Sequence, residues 1–179
     1  MSDDRNAPVE TMWAGRFITA LRRGRWEYVS RSRSIRAVVI LGEYDGAFVL
    51  VEQFRVPLGR RCLELPAGLI GDYGGDGDDS VEAAAHRELI EETGYAAARI
   101  EPLGDYYSSP GMVSESFTLV AAHDLTRVGP GGGIPGEEEI VVHLVPKPEM
   151  AAFVAAARAR DLAIDVKLLL LLAPEILAR

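Results

Sequence analysis

Two periodicities of apolar residues run along this chain, and together they predict a mixed α/β fold. Residues 35–42 (IRAVVILG) and 47–54 (AFVLVEQF) are almost unbroken apolar runs. Strands of that kind are buried on both faces. Glu43-Tyr44-Asp45-Gly46 stands between them, and an Asp-Gly pair between two strands is a strong hairpin signal. A short strand is expected at Cys62–Pro66, and further strands at 99–107, 116–122 and 140–146. Residues 80–93 place Val81, Ala84, Ala85 and Leu89 on one helical side. Asp79-Ser80-Val81-Glu82 reads as the capping box that opens this helix, with Asp79 as N-cap and Glu82 reaching back. Gly94 stops it. Two more helices are expected near 148–160 and 165–177. The leucine run 168–172 is then a buried helix face, and Pro174 should kink or end the last helix.

The N-terminal region reads differently. Residues 1–10 are polar and expected to fray. Trp13 to Val29 alternates partly around Arg23-Gly24-Arg25, which predicts a β-hairpin. Its apolar residues are too few for a core, and a lone hairpin is marginally stable. The arm is therefore expected to pack on the main domain or on a second subunit. This divides the chain into an arm, 1–34, and a main domain, 35–179. Residues 71–79 form a Gly/Asp-rich surface loop without the closing glutamate of a calcium loop. Residues 129–136 (GPGGGIPG) predict a mobile loop.

Composition narrows the partners. The chain of 179 residues is 48% hydrophobic and 26% charged, an ordinary globular balance. A net charge of −8 repels a nucleic-acid backbone. A local arginine cluster or a metal can still hold a small anion. The single cysteine, Cys62, rules out an internal disulfide and reads as a small core filler. The start has no basic segment followed by an apolar one, and the longest apolar run is too short for a bilayer. A cytoplasmic protein with neither nucleic-acid nor membrane partners is expected.

The chemistry concentrates in Arg87-Glu88-Leu89-Ile90-Glu91-Glu92-Thr93-Gly94-Tyr95. On a helix, Glu88, Glu91 and Glu92 fall at i, i+3 and i+4, one above another. Like charges so stacked repel, and converging carboxylates suit a hard divalent cation. Taken alone, such a cluster is more often a solvated acidic face. Arg87 lies in the same turn, where it could orient a carboxylate. His86, His123 and His143 are dispersed, without zinc spacing.

From Gly68 to Tyr95 the sequence resembles the Nudix box, G-x5-E-x7-R-E-U-x-E-E-x-G-U, with U a bulky apolar residue. Arg87, Glu88, Leu89, Glu91, Glu92, Gly94 and Tyr95 match its second half. The first half departs twice: Asp79 replaces a glutamate, and the gap after Gly68 is longer by five residues. Insertion there costs little entropy. Segments WEYV at 26–29, VEQFRVP at 51–57, ELPAGLI at 64–70 and SSPG at 108–111 are similar to the ADP-ribose pyrophosphatase branch.

The resemblance implies an α/β/α sandwich with a mixed sheet, and an N-terminal antiparallel β-arm exchanged within a homodimer. It implies an enzyme that uses Mg²⁺, or Mn²⁺, to hydrolyse ADP-ribose to AMP and ribose 5-phosphate. Divalent ions would neutralise the diphosphate and lower the pKa of a coordinated water. Glu88, Glu92 and the Ala67 carbonyl would be metal ligands, with Glu91 ligating or supporting them. Arg87 would hold a glutamate. The general base or last ligand would come from Glu137, Glu138 or Glu139, with Glu138 first and Glu137 second. Arg55 would clamp phosphate. Trp26 would stack on adenine and Glu27 read its amino edge, with Arg31 adding a contact. Pro110 and Gly111 would shape the ribose pocket, and Glu64 and Glu115 are further binding candidates. Two alternatives remain open: another nucleotide sugar, such as GDP-mannose or ADP-glucose, or a nucleotide-binding module without catalysis.

Overall fold

The computed structural model describes residues 4–32, 35–71, 80–134, 136 and 139–177. Three strands, β1 (Val9–Ala14), β2 (Ile18–Arg23) and β3 (Trp26–Arg31), form an antiparallel sheet in the order β1-β2-β3. The predicted hairpin is β2-β3, turning at Gly24 (φ 57°). The extra strand β1 lies partly in the segment expected to fray. Every one of its residues is exposed, so burial left no trace of it in the sequence. Backbone pairing with β2 holds it instead.

The main domain continues with β4 (Arg36–Tyr44), β5 (Ala47–Arg55), β6 (Arg60–Glu64) and β7 (Ala67–Ile70). Helix α1 (Val81–Glu88) leads into a π turn (Leu89–Thr93). Then come β8 (Tyr95–Ala96), β9 (Arg99–Tyr107), β10 (Ser116–His123), β11 (Thr126–Arg127) and β12 (Val141–Pro146). Helix α2 (Met150–Ala159), β13 (Ala163–Ile164) and α3 (Leu169–Leu177) complete it. The central sheet runs β13-β6-β5-β4-β10-β9, with β12 on β5 and β7 on β4. It is mixed: β10 is parallel to β4, and most other pairs are antiparallel. Asp45 (φ 50°) and Gly46 (φ 75°) turn β4 into β5 as the Asp-Gly pair foretold.

Burial on both faces explains the unbroken apolar runs. Val38, Ile40, Val49 and Val120 pack with Ala84, Ala85 and Leu89 beside α1. Their strand neighbours Val39, Leu50 and Leu119 pack the other way, with Met150, Val154 and Leu168. Adjacent residues on a strand point to opposite faces, so each run serves two cores. Each fully buried aliphatic side chain contributes about 1.5–3 kcal/mol. Cys62 is buried, the core filler expected.

Two expectations about helices need correction. Ser80, not Asp79, is the N-cap: its hydroxyl accepts from the Ala83 amide at 3.1 Å. Serine caps as well as aspartate does, so the helix starts one residue later. Asp79 lies outside the described residues. Of the two effects expected of Pro174, ending the last helix does not occur: it continues to Leu177. Burial of Leu168, Leu171 and Leu172 outweighs the roughly 3 kcal/mol of a mid-helix proline.

Candidate active site

The glutamate-bearing helix does not stay α-helical through its motif. The Thr93 hydroxyl donates to the Leu89 carbonyl, and the chain widens into a π turn over Leu89–Thr93. Such turns are rare and often functional. The turn leaves backbone carbonyls without helical partners, and the glycine-rich segment takes them. Gly132 donates to the Glu92 carbonyl (2.8 Å) and Gly133 to that of Glu91 (3.0 Å). Val128 and Gly129 both donate to the Gly94 carbonyl. Gly131 (φ 69°) runs so close that a side chain there would collide with the Thr93 backbone. The first part of the loop expected to be mobile is therefore fastened across the end of the π turn.

Strand β7 packs against this helix, and β6 precedes it in the chain. Glu64 is only 4% exposed. Its two oxygens accept from Arg55 Nε and Nη2, each at 2.7 Å. Such a bidentate pair fixes both groups. The Glu64 hydrogen bonds raise the Arg55 pKa further, against burial, so the guanidinium stays charged. Glu92 is buried and its Oε2 accepts from the Ala67 amide at 3.0 Å. Arg87 donates to the Leu69 carbonyl (3.2 Å) and sits 3.5 Å from Glu88. A Cβ on Gly68 would overlap the Glu88 carboxyl. Glycine at 68 is what lets Glu88 lie against β7.

These groups open into one cavity of about 540 Å³. Of the residues singled out in the sequence, Arg31, Arg55, Glu64, Ala67, Glu88, Glu91, Glu92 and Glu115 line it. Arg31 Nε donates to Glu115. The arm reaches this wall through backbone bonds from Val29 to Met112 and from Ser114 to Val29, both 2.9 Å. Arg87 braces the cavity from behind without lining it. Trp26, Glu27, Pro110 and Gly111 are exposed and stand outside it in the single chain. Glu27 instead lines a shallow pocket with Met12, Tyr28 and Met112. Glu137 and Glu138 lie outside the described residues. Glu139 is exposed, and its carbonyl accepts from Arg61 Nη2 at 3.1 Å.

Gln53, Ser108 and Lys167 line the cavity without having been foreseen. Gln53 was legible, because it precedes Arg55 by two residues and shares its face of β5. Lys167 was hidden inside a leucine-rich helical pattern.

The carboxylates of Glu88, Glu91 and Glu92 on the cavity wall suit a hard cation. The cradle at Gly68 keeps one carboxylate in place. Yet among the described residues no three such groups already converge on one ion. Magnesium is usually held by one or two carboxylates, with water and substrate phosphates completing its shell. The residues fit a cation of that kind.

Comparison with known proteins agrees with this geometry. Over 132 residues the chain is 35% identical to a GDP-mannose pyrophosphatase of Pectobacterium atrosepticum, covering 69% of this chain and 65% of that one. Over 91 residues it is 37% identical to an ADP-ribose pyrophosphatase of Bacillus subtilis, covering 50% and 46%. The chain thus spans less than two thirds of the length of either relative. A solved structure described as an ADP compounds hydrolase superposes with a TM-score of 0.66 at 26% identity, over 96% of this chain and 92% of that one. The NUDIX domain model matches residues 31–163, which hold the paired Arg55 and Glu64, the Gly68 cradle and the glutamates of the π turn. By this match, and by the site it encloses, the chain belongs to the Nudix family.

Proposed function

We propose that this chain is a divalent-cation-dependent diphosphatase of nucleotide sugars, hydrolysing ADP-ribose to AMP and ribose 5-phosphate. The carrying observation is that Arg55, Glu64, Ala67, Glu88, Glu91 and Glu92 face one cavity of about 540 Å³, a volume typical of small-molecule sites. Arg55 spends Nε and Nη2 on Glu64, which leaves Nη1 to receive a phosphate oxygen. Glu88, Glu92 and the Ala67 carbonyl would hold a Mg²⁺ or Mn²⁺, which would supply charge neutralisation and water activation. The protein then contributes placement and electrostatics, which is most of what phosphoryl transfer needs. Glu91 supports the ligands, and Arg87 steadies Glu88. The base that takes the water proton is assigned to Glu138, then Glu137. Of the described residues flanking them, Gly132 and Gly133 bond to the π turn and the Glu139 carbonyl accepts from Arg61.

The arm, 1–34, is assigned to a homodimer contact. Met12, Trp13, Phe17 and Trp26 are each more than half exposed, at 53–65%, a pattern that marks interaction surfaces. In such a dimer Trp26 and Glu27 serve adenine, and Pro110 and Gly111 the ribose, in the partner's cavity. Among the described residues no helix is long and apolar enough to cross a membrane.

One observation favours GDP-mannose as a second reading: the GDP-mannose pyrophosphatase matches over 132 residues, against 91 for the ADP-ribose enzyme. Incubation with Mg²⁺ and ADP-ribose, ADP-glucose or GDP-mannose, followed by assay of the products, separates the two. Cleavage of GDP-mannose well ahead of ADP-ribose overturns the first substrate. Glu92→Gln should lower turnover by about two orders of magnitude; near-normal turnover removes the metal assignment.

A further inference from the structure

Lys167 enters the cavity from the far end of the chain. Strand β13 lies parallel to β6, pairing Ala163 with Cys62 and Ile164 with Leu63. The Asp165 amide then donates to the Leu63 carbonyl at 3.0 Å. This register sets Asp165 level with the end of β6, where Glu64 grips Arg55. The short turn that follows swings Lys167 into the cavity wall.

Three observations fix the ammonium there. Asp165 takes the Lys167 amide on Oδ1 (2.7 Å) and the Lys167 ammonium on Oδ2 (2.6 Å). The ammonium lies 5.6 Å from the centre of the Phe117 ring, another cavity residue. Both Asp165 and Lys167 side chains are largely buried, at 17% and 16% exposure.

The other two cavity cations are already engaged by cavity carboxylates. Arg55 is gripped twice by Glu64, and Arg31 is held by Glu115. The carboxylate beside Lys167 belongs to Asp165, which does not line the cavity. An ammonium has three donors. Among the described residues Asp165 is the only side chain that accepts from it, so two donors remain for a ligand.

We propose that Lys167 is a substrate-binding residue whose ammonium takes an anionic phosphate oxygen of the nucleotide sugar. This rests on the diphosphatase reading above. Lysine binds phosphate as a compact point charge. Asp165 orients it, and Phe117 limits its swing by facing the cation. It is the contact that the C-terminal segment contributes to a site otherwise lined by residues between Arg31 and Ile134.

The test compares wild type, Lys167→Met and Lys167→Arg in steady-state hydrolysis of ADP-ribose and GDP-mannose with Mg²⁺. Methionine keeps the stem and its packing while removing the charge. The expected result is a KM raised about tenfold to a hundredfold in Lys167→Met, the loss of one charged hydrogen bond, with kcat within about threefold. Lys167→Arg should recover most of the affinity. Thermal melts check that each variant is folded. An unchanged KM in folded Lys167→Met overturns the proposal, as does a lowered melting point with unchanged KM, since Lys167 then only closes the corner before α3. Failure of the wild type itself to cleave or bind any of these diphosphates strikes the diphosphatase reading instead.

Discussion

Gly68→Ala tests the site where strand and helix meet. Gly68 does not have a positive φ, so alanine suits its backbone. At such positions Gly→Ala stabilises by about 0.4–1 kcal/mol through the unfolded chain. The added methyl would overlap the Glu88 carboxyl. That group is the far end of a flexible side chain, so it can move aside without disturbing the core. Relief of the overlap needs a displacement of about 1 Å. A misplacement of that size at a reacting centre can cost about 10²-fold, which is about 2.7 kcal/mol of barrier. The expected variant therefore melts near the wild-type temperature, yet loses about a hundredfold in kcat/KM and needs more Mg²⁺ for half activity. Gly129→Ala is the control: a Cβ there meets nothing within 4 Å and φ is not positive, so activity should hold. Steady-state assays across a Mg²⁺ titration, with melts on the same samples, read both quantities. Gly68→Ala activity within threefold of wild type would refute the idea that Glu88 must lie against β7.

Other consequences are simpler to measure. Burial of Glu52 would raise its pKa, but hydrogen bonds from Arg61 (2.6 Å) and His143 (3.1 Å) outweigh it and hold the carboxyl below 4.5. A depressed carboxyl stabilises fully above its unfolded pKa and loses that contribution as pH falls below about 4.5. Urea midpoints between neutral and strongly acid pH should then fall more steeply in wild type than in Glu52→Gln; parallel curves contradict this. Burial foremost, and then the Glu64 charge, push the Cys62 thiol up to about 12. It should resist a thiol reagent at mildly alkaline pH in the folded protein and react once denatured. Ser80→Ala removes the α1 cap and should lower stability by about 1 kcal/mol with little change in kcat, as measured by denaturant titration.

Much was written in the order of residues. Apolar runs at 35–42 and 47–54 implied strands covered on both sides, because solvent on either face would have demanded alternation. Asp45-Gly46 specified its turn because both residues adopt left-handed backbone there, which Asp and Gly tolerate best. The motif from Arg87 to Tyr95 was legible through its resemblance to the Nudix box, because its carboxylates at helical spacing would by themselves have read as a solvated acidic face. Other features came only with the folded chain. The π turn depends on a hydroxyl competing for a carbonyl, and its consequence is that a glycine segment over thirty residues downstream must lie across it. Nothing in a helical repeat signals that. The pairing of Arg55 with Glu64 requires the register of β5 against β6, and Lys167 reaches the cavity only because β13 adds beside β6. Local periodicity fixes which face of an element is apolar. Only packing between distant elements determines which polar groups share one enclosed volume, and that sharing is where the chemistry resides.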